Sequence, residues 1–382
     1  MTSRERVFAS FEGQPVDRFP VTCLYSLLVY EDHFEELTGE PQWKLPLWTQ
    51  TTVEQYMTWY RCMFDQLPFE LIQPVHSAPP REVRERFDFV EQDGTLFRRD
   101  KRTGEQRPLP RATRSGHARD YHACEERAVF DRRDVDQRVK IERADDLLAR
   151  GVNDFIDATI REFGRERFIV SGGVEGVFFK CSWHVGLTNL FAMVVEEPAL
   201  LRYLGDRLLE QNIEIIRRLA SAGGDAVYID DAMTTCDMLS TAQYEQVSLP
   251  YMKAMVDEIH RLGHKAIVIY FGGIADRLEQ IASTGADGLL MEASMKGYVN
   301  DVERTVGAIG DRVTLFANID PIAYLQNADD TELEREIRRQ IEAGRRGRGF
   351  VLSPASPITP STPVSRIRRF MELSTYRGGA TY

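Results

Sequence analysis

Five short apolar runs near the middle and end of the chain constrain its fold most. They are Gly223 to Met233 (GGDAVYIDDAM), Lys265 to Gly273 (KAIVIYFGG), Ala286 to Met295 (ADGLLMEASM), Val313 to Pro321 (VTLFANIDP) and Gly349 to Ser356 (GFVLSPAS). Each ends in polar, Gly or Pro residues, and an amphipathic helical segment separates each from the next. Runs without apolar/polar alternation read as strands buried on both faces. Alternation of such strands with helices implies parallel pairing, because a parallel neighbour needs a crossover.

Three earlier segments extend the pattern. PVDRFPVTCLY holds a first strand near position 20, FELIQPV a second near 70, and Phe168 to Val170 a third. Eight strands, near 20, 70, 169, 227, 268, 288, 314 and 350, with helices between them predict a closed (β/α)₈ TIM barrel, with a doubly wound sheet as the alternative. The whole chain, 1–382, is expected to form one such domain. Residues 2–13, with Val7, Phe8 and Phe11 on one face, predict an N-terminal helical extension. The charge-dense stretch 80–125 contains EQDGT and RTGEQ, two good hairpin turns. An inserted β-ribbon near 85–110, laid over the barrel mouth, is expected there; a solvated surface loop is the plain alternative.

Composition narrows the function. A net charge of −11 argues against a nucleic-acid role. No run of 18 apolar residues exists to span a membrane, and the charged start TSRERVFASFEG does not resemble a signal peptide. Five cysteines without a CxxC pair fit a reducing compartment, so a cytoplasmic protein is expected.

In parallel α/β folds the chemistry gathers at the carboxyl ends of the strands. The polar tips are therefore the candidates. Asp230 and Asp231 are the sharpest, and neighbours on a strand face opposite ways, so only one points into the mouth. Asp231, at the extreme tip, is the expected base or anchor, with Asp230 capping or pairing beside it. Tyr270 is a candidate general acid or orienting group, against the plainer reading of a core tyrosine. Glu292, after the sixth strand, is the third expected catalytic group beside Asp231 and Tyr270; Lys296, four residues on, is expected to pair with it or to bind an acidic substrate, against the plainer reading of a surface ion pair. His76, Glu175, His184 and Asn318 complete the expected lining, while Asp320 before Pro321 reads as a helix N-cap. His76, Glu175, Asp231 and Glu292 together suit a hard metal, though their spacing does not require one.

Four stretches, RERVFASFEGQPVDRFPV at 4–21, GGDAVYIDDAM with the following LPYMKAMVDEIHRLGHKAIV, ANIDP at 317–321 and GFVLSPASPITPSTP at 349–363, resemble the uroporphyrinogen decarboxylase superfamily. That group includes the decarboxylase and corrinoid- or thiol-linked methyltransferases on the same barrel. Its zinc-dependent methyltransferases carry His-x-Cys-Gly at the end of the fifth strand and a late Cys. Here those positions read Ile269, Tyr270, Phe271, Gly272 and, near the late one, Ser356. No thiol-activating zinc is expected, and no other metal is assigned. The decarboxylase's Arg-rich amino-terminal motif is absent, and His76 stands where its second strand carries an Asp, so uroporphyrinogen is a poor substrate expectation. The resemblance implies a one-carbon (methyl) transferase or demethylase of a small molecule. Its expected partners are a corrinoid protein and a second copy of the chain. A decarboxylase or lyase of a small acid, with Lys296 and arginines holding the carboxylate, and a non-catalytic binding barrel are the alternatives.

Overall fold

A computed structural model describes residues 1–23, 25–73, 76–112, 131–294 and 297–375. Strand β1 (Leu71–Ile72) is followed by a separate antiparallel ribbon, β2 (Phe87–Gln92), β3 (Thr95–Asp100) and β4 (Gln106–Pro108). Six strands come after it: β5 (Phe168–Glu175), β6 (Ala226–Asp231), β7 (Lys265–Tyr270), β8 (Gly288–Met291), β9 (Thr314–Phe316) and β10 (Phe350–Val351). They join β1 in one parallel sheet of order β1-β5-β6-β7-β8-β9-β10.

The eighth stave is the segment around Val21, reduced to a single bridge. Val21 bridges Leu352 in parallel. Thr22 N donates to Leu352 O (2.9 Å), Leu352 N to Pro20 O (2.8 Å), and on the other flank Glu70 N donates to Val21 O (3.1 Å). The stave is short because Pro20 has no N–H to give and because Val21 N bonds the Glu70 side chain, at 2.8 Å, instead of a neighbouring carbonyl. The barrel thus closes as the sequence predicts.

Inside it lies an apolar core of Leu71, Phe168, Val170, Ala226, Ile267, Ile269, Leu290, Phe316 and Val351. Its amino-terminal end is plugged by the helix Ser3–Glu12, which inserts Val7 and Phe11; Phe11 stacks on Phe168 at 5.4 Å. This is the extension read from the sequence, started by a Thr2–Glu5 capping box. The second, larger core lies between the wall and the helices.

Helices split where local chemistry intervenes. Between β6 and β7 run two helices, Thr241–Val247 and Leu249–Arg261, separated by Ser248. The first opens on a Ser240–Gln243 capping box. The helix Asp330–Gly344 opens on another, from Asp329 and Glu332. In the ribbon, Asp93 and Gly94 both adopt positive φ (50° and 71°) and join β2 to β3, as the DG turn predicts. Among the described residues, no helix is long and apolar enough to cross a membrane.

The closing stave rests on ions at the amino-terminal face. Glu70 is 5% exposed and accepts from Arg6, from Arg18 Nη1 (2.6 Å), from Ser3 Oγ (3.1 Å) and from Val21 N. Arg6 also holds Asp17 at 2.7 Å, and that hydrogen bond draws the Asp17 carboxyl down to about 2. Removing one partner of a buried ion cluster leaves the others uncompensated. Glu70→Gln is therefore expected to lose about 3–5 kcal/mol of stability, measured by urea unfolding. A change within experimental error would mean that the cluster does not hold the barrel shut.

Candidate functional site

Strand alternation decides which tips reach the mouth. On β6, Ala226 and Tyr228 belong to the interior, and Val227 and Ile229 to the helix layer. Asp230 therefore points inward and Asp231 outward. On β7, Ile267, Ile269 and Phe271 face in, while Ala266, Val268 and Tyr270 face out. The strand β5 changes phase along its length: its register with β6 shifts between Val170 and Gly173. Val170 is interior, yet Val174 lies in the helix layer. The bulge, eased by Gly172 at φ 144°, brings Gly173 and Glu175 to the inner face. At Gly173 a side chain is impossible, since a Cβ would sit 2.3 Å from the Tyr228 ring.

Asp230 and Glu175 are register partners, tip beside tip. The Tyr25 hydroxyl donates to Asp230 Oδ2 at 2.6 Å. Asp230 Oδ1 is buried and accepts no hydrogen bond. Burial, and after it the charges of Glu175 and Asp231, push the Asp230 carboxyl up to about 7; the Tyr25 hydrogen bond opposes them. Such a group is acid and base in near-equal measure at neutral pH.

Around it stand aromatic rings. Tyr25 lies 5.8 Å from both Tyr228 and Phe271, centroid to centroid. Tyr25 has an unusual left-handed backbone (φ 49°), fixed by its N–H donating to Gln73 Oε1 at 2.9 Å. Gln73 is 2% exposed and also bonds the Tyr228 hydroxyl. Tyr25, Tyr228 and Gln73 are the residues that the sequence reading missed. Position offered a signal, since two of them end strands 20 and 70.

Two of the three expected catalytic groups lie behind the wall. Asp231 is wholly buried, and its Oδ2 accepts from Ser248 Oγ (2.9 Å), the residue that starts helix Leu249–Arg261. Burial raises its pKa as well. The Tyr270 hydroxyl is also wholly buried and lies 2.8 Å from Tyr244 Oη; burial pushes it far above the usual phenol range. Arg277, 0% exposed, donates beside them to the carbonyls of Thr234 and Leu239. This cluster fastens the loop after β6 to the helix layer. The expectation that Asp231 and Tyr270 act in the mouth is thus corrected by strand alternation: their neighbours Asp230 and Phe271 occupy it.

Glu292 is placed inward by the same alternation, two residues after interior Leu290. It is 8% exposed, and its Oε2 accepts from Tyr298 Oη at 2.7 Å. Asn318 does not present its amide nitrogen to the opening: Nδ2 donates to Glu292 O (3.1 Å) and Asn300 O (2.8 Å) and clamps two loops together. His76 Nε2 lies 3.2 Å from Glu31 Oε1, with its ring edge-on to Trp48. His184 is half-buried in the last turn of helix Val177–Val185, two turns beyond β5. Lys296 lies outside the described residues. Asp320 is the N-cap that the sequence suggests, accepting from Ile322 N and Ala323 N.

The hard-metal set considered above does not converge: Asp231 faces the helix layer, and His76 lies against Glu31 and Trp48. Among the described residues, no three His, Cys, Asp or Glu side chains come together to hold a metal. At the positions of the thiol-linked zinc site, Ile269 lies in the interior core, Phe271 packs on Tyr25, and Ser356 is 8% exposed. None offers zinc a soft donor.

The architecture is a closed α/β barrel with its titratable groups at the carboxyl ends of the strands. A family model described as uroporphyrinogen decarboxylase (URO-D) matches residues 123–375, and the chain belongs to that family. It is 30% identical over 218 residues to the uroporphyrinogen decarboxylase of Tolumonas auensis, covering 56% of each chain. Over 209 residues it is 31% identical to that of Pseudomonas fluorescens, covering 53% of each. The chain thus spans about half the length of the curated relatives it matches. A methyltransferase from Methanosarcina mazei superposes with a TM-score of 0.68 over 98% of both chains, at 19% identity, a likeness of fold.

Two outcomes follow for stability. Tyr270→Phe leaves Tyr244 Oη buried without that partner and is expected to cost about 1–3 kcal/mol in urea unfolding. Unchanged stability would contradict its placement behind the wall. Asp230 binds its proton more tightly in the folded chain than its ordinary value of 3.8 allows. Its stabilising contribution is whole below pH 3.8 and is lost as pH rises through about 7. Thermal melts should show Asp230→Asn gaining on the wild type above pH 7, with the gain shrinking as the pH is lowered toward 3.8. A pH-independent difference would refute the raised carboxyl.

Proposed function

We propose that the chain is an enzyme that moves a methyl group from a small neutral or cationic methylated molecule, with Asp230 as the proton donor. The observation that carries this reading is the inward Asp230 carboxyl, bonded to Tyr25 and held up to about 7 within a ring of aromatic groups. A general acid works best with a pKa near the operating pH. The step is simple. The bond between methyl and heteroatom breaks, the heteroatom keeps the electron pair, and the Asp230 proton neutralises it. The methyl group passes to a nucleophilic acceptor, for which a reduced corrinoid protein is the class the family suggests.

Substrate charge is argued from the lining. Glu175, Asp230 and Glu292 share the inner face with Tyr25, Tyr228 and Phe271. Carboxylates among aromatic faces favour a neutral or cationic guest, methylated at oxygen or nitrogen, and repel a polycarboxylate. In this reading the ribbon β2–β4, which follows β1 in the chain, serves as cover for the mouth.

Decarboxylation of a small acid is the second reading, favoured by relatives named uroporphyrinogen decarboxylase at 28–31% identity over about half of this chain. There the Asp230 proton would go to carbon after loss of carbon dioxide. A panel of methoxylated and N-methylated molecules with reduced cobalamin as acceptor separates the two. Demethylated product is expected, with turnover falling as pH rises through about 7, where the acid form is lost. Asp230→Asn should cost about 100- to 10,000-fold in turnover. Carbon dioxide from a panel of acids, without methyl transfer, would establish the second reading; wild-type turnover in Asp230→Asn would remove both.

A further inference from the structure

Asp230 sits among opposing influences, and a neutral hydroxyl is the counterweight. Burial acts first against its charged form, and Glu175 from β5 and Asp231 from β6 act the same way; the Tyr25 hydroxyl, from the first βα loop, acts for it. Tyr228 on β6 stands beside the pair, and Arg277 acts on Asp231, behind the wall. From β7 the inner face brings Phe271, which carries no charge. The close polar partner of the carboxylate is thus a phenol, 2.6 Å from Oδ2.

Tyr25 is fixed for that contact from several sides. It is the N-cap residue of helix Ser26–Asp32 and takes φ 49° and ψ 32°, a left-handed conformation unfavourable for any residue with a side chain. Two ties to β1 and its tip hold it there: Thr22 Oγ1 donates to Leu71 O at 3.0 Å, and Tyr25 N to the buried Gln73 Oε1 at 2.9 Å. Its ring meets Tyr228 edge to face, with 68° between the planes, and lies tilted against Phe271. Burial, and after it the charge of Asp230, push the phenol well above its ordinary range. It therefore keeps its own proton, and remains a donor, wherever Asp230 titrates. A strained backbone held by a buried amide is more than the packing of one ring calls for.

We propose that Tyr25 is a positioning residue: anchored by Gln73, its hydroxyl donates to Oδ2 of the ionised Asp230 and so sets how readily the acid parts with its proton. The inference rests on the reading of Asp230 as the acid and names the group that tunes it. A hydrogen bond to the charged form of a carboxyl favours that form, so losing the donor must strengthen proton binding.

Infrared titration of the protonated-carboxyl C=O band reads this without any substrate. In the wild type a band should titrate near 7 and vanish in Asp230→Asn. Tyr25→Phe keeps the ring against Tyr228 and Phe271 and removes only the donor. It should raise the midpoint by about 1–2 pH units. Gln73→Met takes away the anchor and should raise the midpoint by a smaller step. Fluorotyrosine at position 25, a stronger donor of nearly the same shape, should lower it; this chain decides the matter should Tyr25→Phe fold poorly. A midpoint that neither replacement of Tyr25 moves would overturn the role of Tyr25 while leaving Asp230 as the acid. A Gln73→Met midpoint equal to that of the wild type would overturn the anchoring by Gln73. A wild-type band that survives Asp230→Asn would overturn the reading of Asp230 and the inference with it.

Discussion

A side chain on a strand of a closed barrel has two destinations, the interior or the helix layer, and the backbone assigns them by turns. Everything functional in this molecule depends on that assignment. Asp230 and Asp231 have the same chemistry and adjacent positions. One meets Tyr25 and an aromatic cup; the other meets Ser248 and fastens a helix. Tyr270 and Phe271 divide in the same way. The wall converts a difference of one residue into a difference between a place in the mouth and a place in the support behind it.

The wall in turn needs to be closed, and its weakest join is the single bridge at Val21. Charge does there what a longer ladder does elsewhere. Glu70 receives two arginines, a hydroxyl and the backbone N–H of Val21 itself. The ion cluster thus holds the amino-terminal face together, while the titratable strand tips lie at the carboxyl-terminal face, where such barrels generally carry their chemistry. Phe11 and Val7 seal the first face, which leaves the polar groups of the strand tips to the second.

The fold was largely legible in the sequence. Apolar runs with helices between them gave the strands β5 to β10, and the DG pair gave the ribbon turn. The site was legible only in part. Runs buried on both faces carry no alternation, so nothing in AVYIDD says which of its aspartates looks inward. Tyr228 offers a hint, as a polar-tipped residue in phase with Asp230, but a core tyrosine such as Tyr270 looks the same in sequence. Gln73 and Tyr25 depend on a left-handed backbone at Tyr25 that no residue pattern announces. Asn318 reads as a contact from its place at a strand tip, in ANIDP; in the structure its nitrogen is taken by two carbonyls.

The phase shift in β5 has a consequence for how this family diversifies. Between Val170 and Gly173 the strand gains half a pleat, and Glu175 turns to face Asp230. Losing one residue at that point would rotate Glu175 into the helix layer and send Val174 inward, with every other strand unmoved. A barrel of this kind can therefore exchange a two-acid mouth for a one-acid mouth by changing a count, with no change in the identity of any reactive residue.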